Sequence, residues 1–375
     1  MDKRAEITEK TERLASMLAA ENLGGLLLSA QHNFSWLTAG SRNGIDLSRE
    51  PGACALLVRR DGRRFVLASR IEMARMLSEE LSAEDFEPVE YGWEEEKGSP
   101  AFLIDRALTL LGKGDTLSSD LPSGSGSVRT VESAIARCRY RLTSDEMERY
   151  RSLGRDAGDA IGKLMRTLEP GETEKEIARR AEAALSALDI DSVVTLVAAD
   201  ERIQKFRHPV PTERRWEKVL MVVVCARRGG LIASLSRIIC VGGVPDELAR
   251  LTVATARVDA RLLSATRPGA TGAELYAQAS RAYAEEGFEG EQLLHHQGGA
   301  CGYRTRDWVA HPSCVERVEE NQAFAWNPSI TGTKVEETCI AFADGCEIIT
   351  ASPGWPTIPV SVEGRQYLLP DVLSL

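Results

Sequence analysis

The chain has no Cys-x-x-Cys pair, no long apolar run and no excess of basic residues. Its eight cysteines (Cys54, Cys138, Cys225, Cys240, Cys301, Cys314, Cys339 and Cys346) are scattered through 375 residues. That spacing excludes a zinc ribbon and predicts small, buried, reduced thiols. The longest near-continuous apolar run, Val219 to Ala226, falls far short of the roughly 20 residues a membrane helix needs. It predicts a buried strand and no membrane partner. A net charge of −10 disfavours a broad electrostatic grip on nucleic acid or anionic lipid. The opening MDKRAEITEKTERLASML predicts a charged amphipathic helix rather than a secretory signal, so the expected location is the cytoplasm.

What is present is ordinary for a globular protein. Hydrophobic residues make up 43% and charged residues 27%, and the length suffices for two domains, each with its own core. Before residue 141 the runs Gly24–Leu28, Cys54–Val58 and Arg64–Leu67 predict strands. Helical spacing follows at Glu72–Leu81 and Ser99–Leu111, and Gly112–Gly126 is loop chemistry. The mixture indicates an α/β domain over 1–141.

From residue 142 onward the signals change. Thr143 or Ser144 can cap a long helix, with Glu146 at capping-box spacing from Thr143, and Pro170-Gly171 stops it after Leu168. A second box, Thr173 and Glu176, opens a helix to Leu188. Strands are predicted at Val219–Ala226, Gly230–Val241, Gln322–Trp326, Glu337–Ala343 and Cys346–Thr350, with helices at Pro245–Ala265 and Thr271–Glu286.

Five segments of this second domain, in order, carry a resemblance. They are LEPGETEKEIARRAEAAL, MVVVCARRGGLIASLSR (221–237), LLHHQGGACGYRTRD (293–307), WNPSI (326–330) and TKVEET (333–338). Read together, they resemble the catalytic domain of the pita-bread family that holds aminopeptidase P, prolidase, methionine aminopeptidase and creatinase. NFSWLTAG (33–40) is similar to a segment of that family's N-terminal domain. The resemblance implies an α/β (α+β) protein, with a creatinase-like domain at 1–141 and a pita-bread domain at 142–375. It also implies a homodimer, in which the polar loop Gly40-Ser41-Arg42-Asn43-Gly44 would help close the partner's cleft.

The departures from that family are as informative as the matches. Its peptidases bind two divalent cations with two Asp, one His and two Glu, a donor set suited to hard metals. Mapped by resemblance, those ligands fall on Val223, Ser234, Gly299, Asn327 and Glu336, and only Glu336 is a carboxylate. The expectation is therefore no metal and no cofactor. The substrate-side His-Glu pair falls on Arg306-Asp307. Creatinase hydrolyses a C–N bond without metal, which keeps a hydrolase in view.

The chain has five histidines; His295 and His296 lie in the 293–307 segment, and by resemblance Phe206-Arg207-His208-Pro209 sits where the family carries a His just before its first long active-site strand. His208 is the candidate proton-transfer group and Glu336 its carboxylate partner, which Arg237 could bridge. Of His295 and His296, adjacent on a strand, one should face the pocket. Arg304, Arg306 and Lys334, with Asn327, suggest a pocket for a small anionic molecule or short peptide. Trp326 and Tyr303 are candidate walls. Ser234 and Cys225 have no recognisable nucleophile elbow or assigned base. The expectation is a metal-independent hydrolase of a C–N bond. The alternative is a catalytically inactive homologue that binds a ligand or peptide in the same pocket.

Overall fold

Short apolar runs bounded by Gly, Pro or charge become strands here, and Thr-x-x-Glu boxes become helix starts. The computed structural model describes residues 3–124 and 126–375. The chain divides into two compact units, Met1–Arg139 and Tyr140–Leu375.

In the first unit, helix α1 (Lys3–Ala20) is followed by β1 (Gly25–Ala30), α2 (Gln31–Leu37), β2 (Pro51–Arg59) and β3 (Arg64–Ser69). After them come β4 (Glu87–Tyr91), α3 (Phe102–Leu111), β5 (Leu117–Ser119) and β6 (Arg129–Thr130). The six strands form one mixed sheet in the order β4-β3-β2-β1-β5-β6. Leu27, Leu57, Phe65 and Leu67 of the sheet pack with Ile104, Ala107 and Leu111 of α3, because α3 spaces its apolar residues on one face. The NFSWL residues form most of α2. Asn33 is fully buried there and donates to Asp120 at 3.0 Å and to Glu132 at 2.8 Å. The expected helix at Glu72–Leu81 is two short turns, Met73–Arg75 and a π turn at Met76–Glu80.

The second unit opens with α4 (Ser144–Met165) and α5 (Glu174–Ser186), each started by a complete capping box, Thr143 with Glu146 and Thr173 with Glu176. Next come β7 (Asp191–Ala199), β8 (Val219–Arg228) and β9 (Leu231–Cys240), antiparallel neighbours in one sheet. Helices α6 (Asp246–Ala265) and α7 (Gly272–Glu285) follow. A second, antiparallel sheet is built from β10 (Gly298–Cys301), β11 (Trp308–Val309), β12 (Ala323–Trp326), β15 (Glu337–Phe342) and β16 (Gly345–Ile348), in the order β11-β10-β12-β15-β16. Between β12 and β15 lies a small hairpin, β13 (Ser329–Ile330) and β14 (Thr333–Lys334). A hairpin of β17 (Thr357–Val362) and β18 (Arg365–Pro370) leads to β19 (Leu373–Ser374), which pairs with β9.

Close approach of α4 to the segment after β16 depends on missing side chains. A Cβ at Gly154 would stand 2.2 Å from the Ile349 carbonyl oxygen, and one at Gly158 2.6 Å from that of Thr350. Backbone oxygens cannot retreat as a flexible side chain can, so these positions require glycine.

One buried group in α6 is left without compensation. Asp259 is fully buried and neither of its oxygens has a hydrogen-bond partner among the described residues. Burial, with added repulsion from Glu337 and Glu336, raises its pKa well above the usual carboxylate range. The folded state therefore keeps a proton that the unfolded chain releases above pH about 4, and stability falls as pH rises through that window by up to about 1.4 kcal/mol per pH unit. Asp259→Asn should match the parent near pH 3 and exceed its stability increasingly above pH 4. Parallel pH profiles of urea midpoints for the two proteins would rule this out.

Candidate functional site

Three segments of the second unit meet at a clasp centred on Arg207. Its guanidinium donates to Glu291 at 2.6 Å and to Thr331 Oγ at 2.9 Å, while Glu291 also accepts from the Thr331 backbone N–H at 2.8 Å. Each arm carries candidate residues: His208 beside Arg207, His295 and His296 after Glu291, and Lys334 and Glu336 after Thr331. Pro209 stiffens the first arm by fixing φ, and its carbonyl accepts from Val197 N–H at 3.2 Å.

The imidazoles of His208, His295 and His296 form a cluster. His208 Nε2 and His295 Nε2 are 3.2 Å apart, a hydrogen-bond distance, so one ring donates and the other accepts. The His295 and His296 rings stack at 4.6 Å, and His208 lies 5.0 and 5.9 Å from the two. Both adjacent histidines therefore face the cluster, against the alternation expected of a strand. The reason is local: residues 294–297 precede β10 and are not extended sheet.

His295 is buried at 7% exposure, and its Nδ1 lies 3.5 Å from Ser329 Oγ. Gln297 braces the same turn, donating from Nε2 to the His295 carbonyl at 2.5 Å and accepting from Tyr283 Oη at 2.7 Å. His208 and His296 are exposed as whole residues, but their rings lean into the cluster and lose water on that side. Burial, Lys334 and Arg306 lower the His208 pKa, partly offset by Glu336. Burial and neighbouring cations push His295 down to about 2 and His296 to about 4. All three shifts favour the uncharged form of the rings.

Lys334 is held opposite Ser329 in the β13–β14 hairpin. Its ammonium approaches Glu336 Oε2 to 2.7 Å, both groups being nearly inaccessible. The contact is a close ion pair without hydrogen-bond alignment, since the same oxygen has no hydrogen-bond partner. Arg306 NH2 lies 3.7 Å from Glu336 Oε1. One carboxylate thus faces two cations, and the cluster keeps a net positive charge. Asn327 is buried with Oδ1 unpartnered among the described residues.

Several expectations change. Arg237 pairs with Glu337, at 2.9 Å, rather than with Glu336. It is almost fully buried and donates to Ser352 Oγ, the Ser236 carbonyl and the Thr350 carbonyl at 2.7 to 2.9 Å. Strand parity decides this, because neighbours 336 and 337 point to opposite sides. Glu336 makes no hydrogen bond to His208 among those observed; His295 holds that position. Arg304 is exposed. Trp326 is fully buried and stacks on Phe324, and Tyr303 donates to Glu146 Oε1 at 2.9 Å, so both belong to the core. Ser234 donates to Cys225 Sγ at 3.2 Å, and burial raises the Cys225 thiol, the opposite of an activated nucleophile. Arg207, Glu291, Ser329, Gln297 and Tyr283 were not singled out from the sequence; Arg207, Gln297 and Ser329 lie inside motif segments, which was the signal for them, whereas Glu291 and Tyr283 lie outside.

The positions that the resemblance assigns to a dinuclear metal centre do not fit one. No residue of β8 or β9, on either face, is Asp or Glu. Val223 packs with Met221, Ile238 and Cys240 in an apolar cluster. A Cβ at Gly299 would stand 2.1 Å from the Trp308 carbonyl oxygen, so this position cannot hold a histidine in this backbone. Glu336, the one retained carboxylate, already faces an ammonium. These donors cannot bridge two hard cations.

A mixed α/β pair of units, the second with these motif segments in this order, defines a pita-bread protein of the peptidase type. The chain belongs to metallopeptidase family M24, which its residues 148–350 match. No curated protein matches it. Among solved structures, prolidase from Thermococcus sibiricus is similar with a TM-score of 0.79 at 17% identity, covering 100% of both chains. The Xaa-Pro dipeptidase from Bacillus anthracis gives 0.75 at 18%, over 98% of this chain and 100% of that one. The N-terminal domain of FACT complex subunit SPT16 from Cicer arietinum gives 0.70 at 11%, over 93% and 96%. At these identities the likeness shows the fold alone. Among the described residues no helix is long and apolar enough to cross a membrane.

Proposed function

We propose that this protein is a hydrolase of a C–N bond in a small anionic substrate, working without the dinuclear metal centre of its family. The observation that carries the reading is the Lys334–Glu336–Arg306 group. It supplies, from side chains, positive charge beside the one carboxylate that remains, next to a cluster of neutral imidazoles. Two structural relatives are named for prolidase and Xaa-Pro dipeptidase activity, and a dipeptide is a small amide bearing a free carboxylate. In this reading Arg306 and Lys334 bind the anionic group. The His208–His295 pair takes a proton from water as its oxygen attacks the carbonyl carbon, then returns it to the leaving nitrogen as the C–N bond breaks. The protein would act in the cytoplasm as a homodimer.

Chelator-treated protein should be assayed against a panel of Xaa-Pro and other dipeptides beside their C-terminal amides. Turnover should survive chelation. Arg306→Gln should raise KM about 10-fold or more for the free acids and much less for the amides, the size expected for a lost charged hydrogen bond. Activity that disappears on chelation and returns only with Mn²⁺ would refute the reading. Binding of the free acids without any turnover would make this a ligand-binding member of the fold.

A further inference from the structure

The imidazole cluster has a property beyond proton transfer. His208, His295 and His296 each present one ring nitrogen, and these three atoms lie within 4.8 Å of one another. In a tetrahedral zinc site with Zn–N of about 2.0–2.1 Å, two ligand nitrogens stand about 3.3 Å apart. The His208–His295 Nε2 separation of 3.2 Å already meets that spacing. The widest pair needs only a side-chain adjustment of an exposed residue. Behind His295, Ser329 Oγ stands near Nδ1, where a ligand histidine places its second N–H on an acceptor and leaves Nε2 free for the metal.

We propose that His208, His295 and His296 form a binding site for a single borderline transition-metal cation, with Zn²⁺ as the reference case. The site uses none of the positions of the family's dinuclear centre. Donor chemistry sets its selectivity. Three neutral nitrogens and no carboxylate suit Zn²⁺, Co²⁺, Ni²⁺ and Cu²⁺, and give Mg²⁺ or Mn²⁺ little to hold. The family's preference for hard cations is thereby replaced by one for borderline cations.

Two features limit the strength of the site. Lys334 and Arg306 face a single carboxylate, so a divalent ion enters a region already positive. Entry also breaks the His208–His295 hydrogen bond, and the ring that donated through Nε2 shifts its proton to Nδ1 to free that lone pair. No proton is lost in that shift. Affinity should therefore fall below that of structural zinc sites, whose apparent binding free energies are about 10–16 kcal/mol. Because the metal occupies the nitrogens that the proposed reaction uses, loading should inhibit turnover. This last step rests on the proposed function, whereas the site itself does not.

The experiment is a titration of chelator-stripped full-length protein with Co²⁺, followed by ligand-field absorption, then displacement by Zn²⁺ measured calorimetrically. One Co²⁺ per chain with tetrahedral-type absorption is expected, displaced by Zn²⁺ but not by Mn²⁺. His295→Ala and His208→Ala should each weaken binding by about 100-fold or more, since two imidazoles remain. His208 is exposed, so its variant guards against a folding defect at buried His295; circular dichroism checks both. Absence of stoichiometric Co²⁺ or Zn²⁺ binding, or binding unchanged in both variants, overturns the proposal. If Zn²⁺ binds and turnover rises, the site stands and the proton-transfer reading fails. If no metal binds yet His208→Ala abolishes turnover, the site fails and that reading stands.

Discussion

Arg237→Met should destabilise the second unit by about 3–5 kcal/mol, the cost of removing one partner from a buried ion pair. Arg237 is 2% exposed and Glu337 likewise 2%, so water cannot replace the lost guanidinium. Four acceptors lose their donor together: Glu337, Ser352 Oγ and the carbonyls of Ser236 and Thr350. Glu337 would keep only the hydroxyl of Thr350, and burial already raises its pKa despite Arg237. The segment at Thr350 is also the one packed against the glycines of α4, so the loss spreads to a helix contact. Urea unfolding followed by far-ultraviolet circular dichroism measures the effect. Adding Glu337→Gln to Arg237→Met should recover part of the loss, because the uncompensated charge is then gone. A change below about 1 kcal/mol would mean that the pair is not a structural post.

His208→Ala should lower kcat by about 10²–10⁴, the range for lost general acid–base catalysis, while leaving stability close to that of the parent. The asymmetry follows from its setting. His208 is exposed on a loop held by Pro209 and by the Arg207 clasp, so its ring contributes little core. What it contributes is a nitrogen 3.2 Å from His295. His311→Ala is the control: that ring is exposed and, among the described residues, bonds only locally, to Ser313, so its removal should change neither kcat nor stability. Normal turnover by His208→Ala would remove the proton-transfer role, and the ligand-binding reading would take its place.

Much of the scaffold was legible from residue order alone because local chemistry settles it. Thr143 with Glu146 and Thr173 with Glu176 form capping boxes within four residues. The apolar run from Val219 could only become a buried strand, and β8 extends it to Arg228. The residue types at the positions that the resemblance assigns to the dinuclear centre were equally readable, since Val223 and Gly299 carry no donor side chain. Weaker local patterns went unread. β7, with its register shift between Ser192 and Val194, and the β17–β18 hairpin containing Pro359 and Pro370 lack clean alternation and are sustained by pairing with partners.

Tertiary structure alone decided who touches whom at the site. Whether Arg237 pairs with Glu336 or Glu337 depends on which side of a strand faces β9, and one residue of parity reverses the answer. His208 and His295 stand 87 residues apart in the chain. Their contact exists because Arg207, Glu291 and Thr331 clasp three separate segments, and no local pattern encodes such a clasp. Residue types determined which donors and charges the chain carries; only long-range packing determined which of them came together.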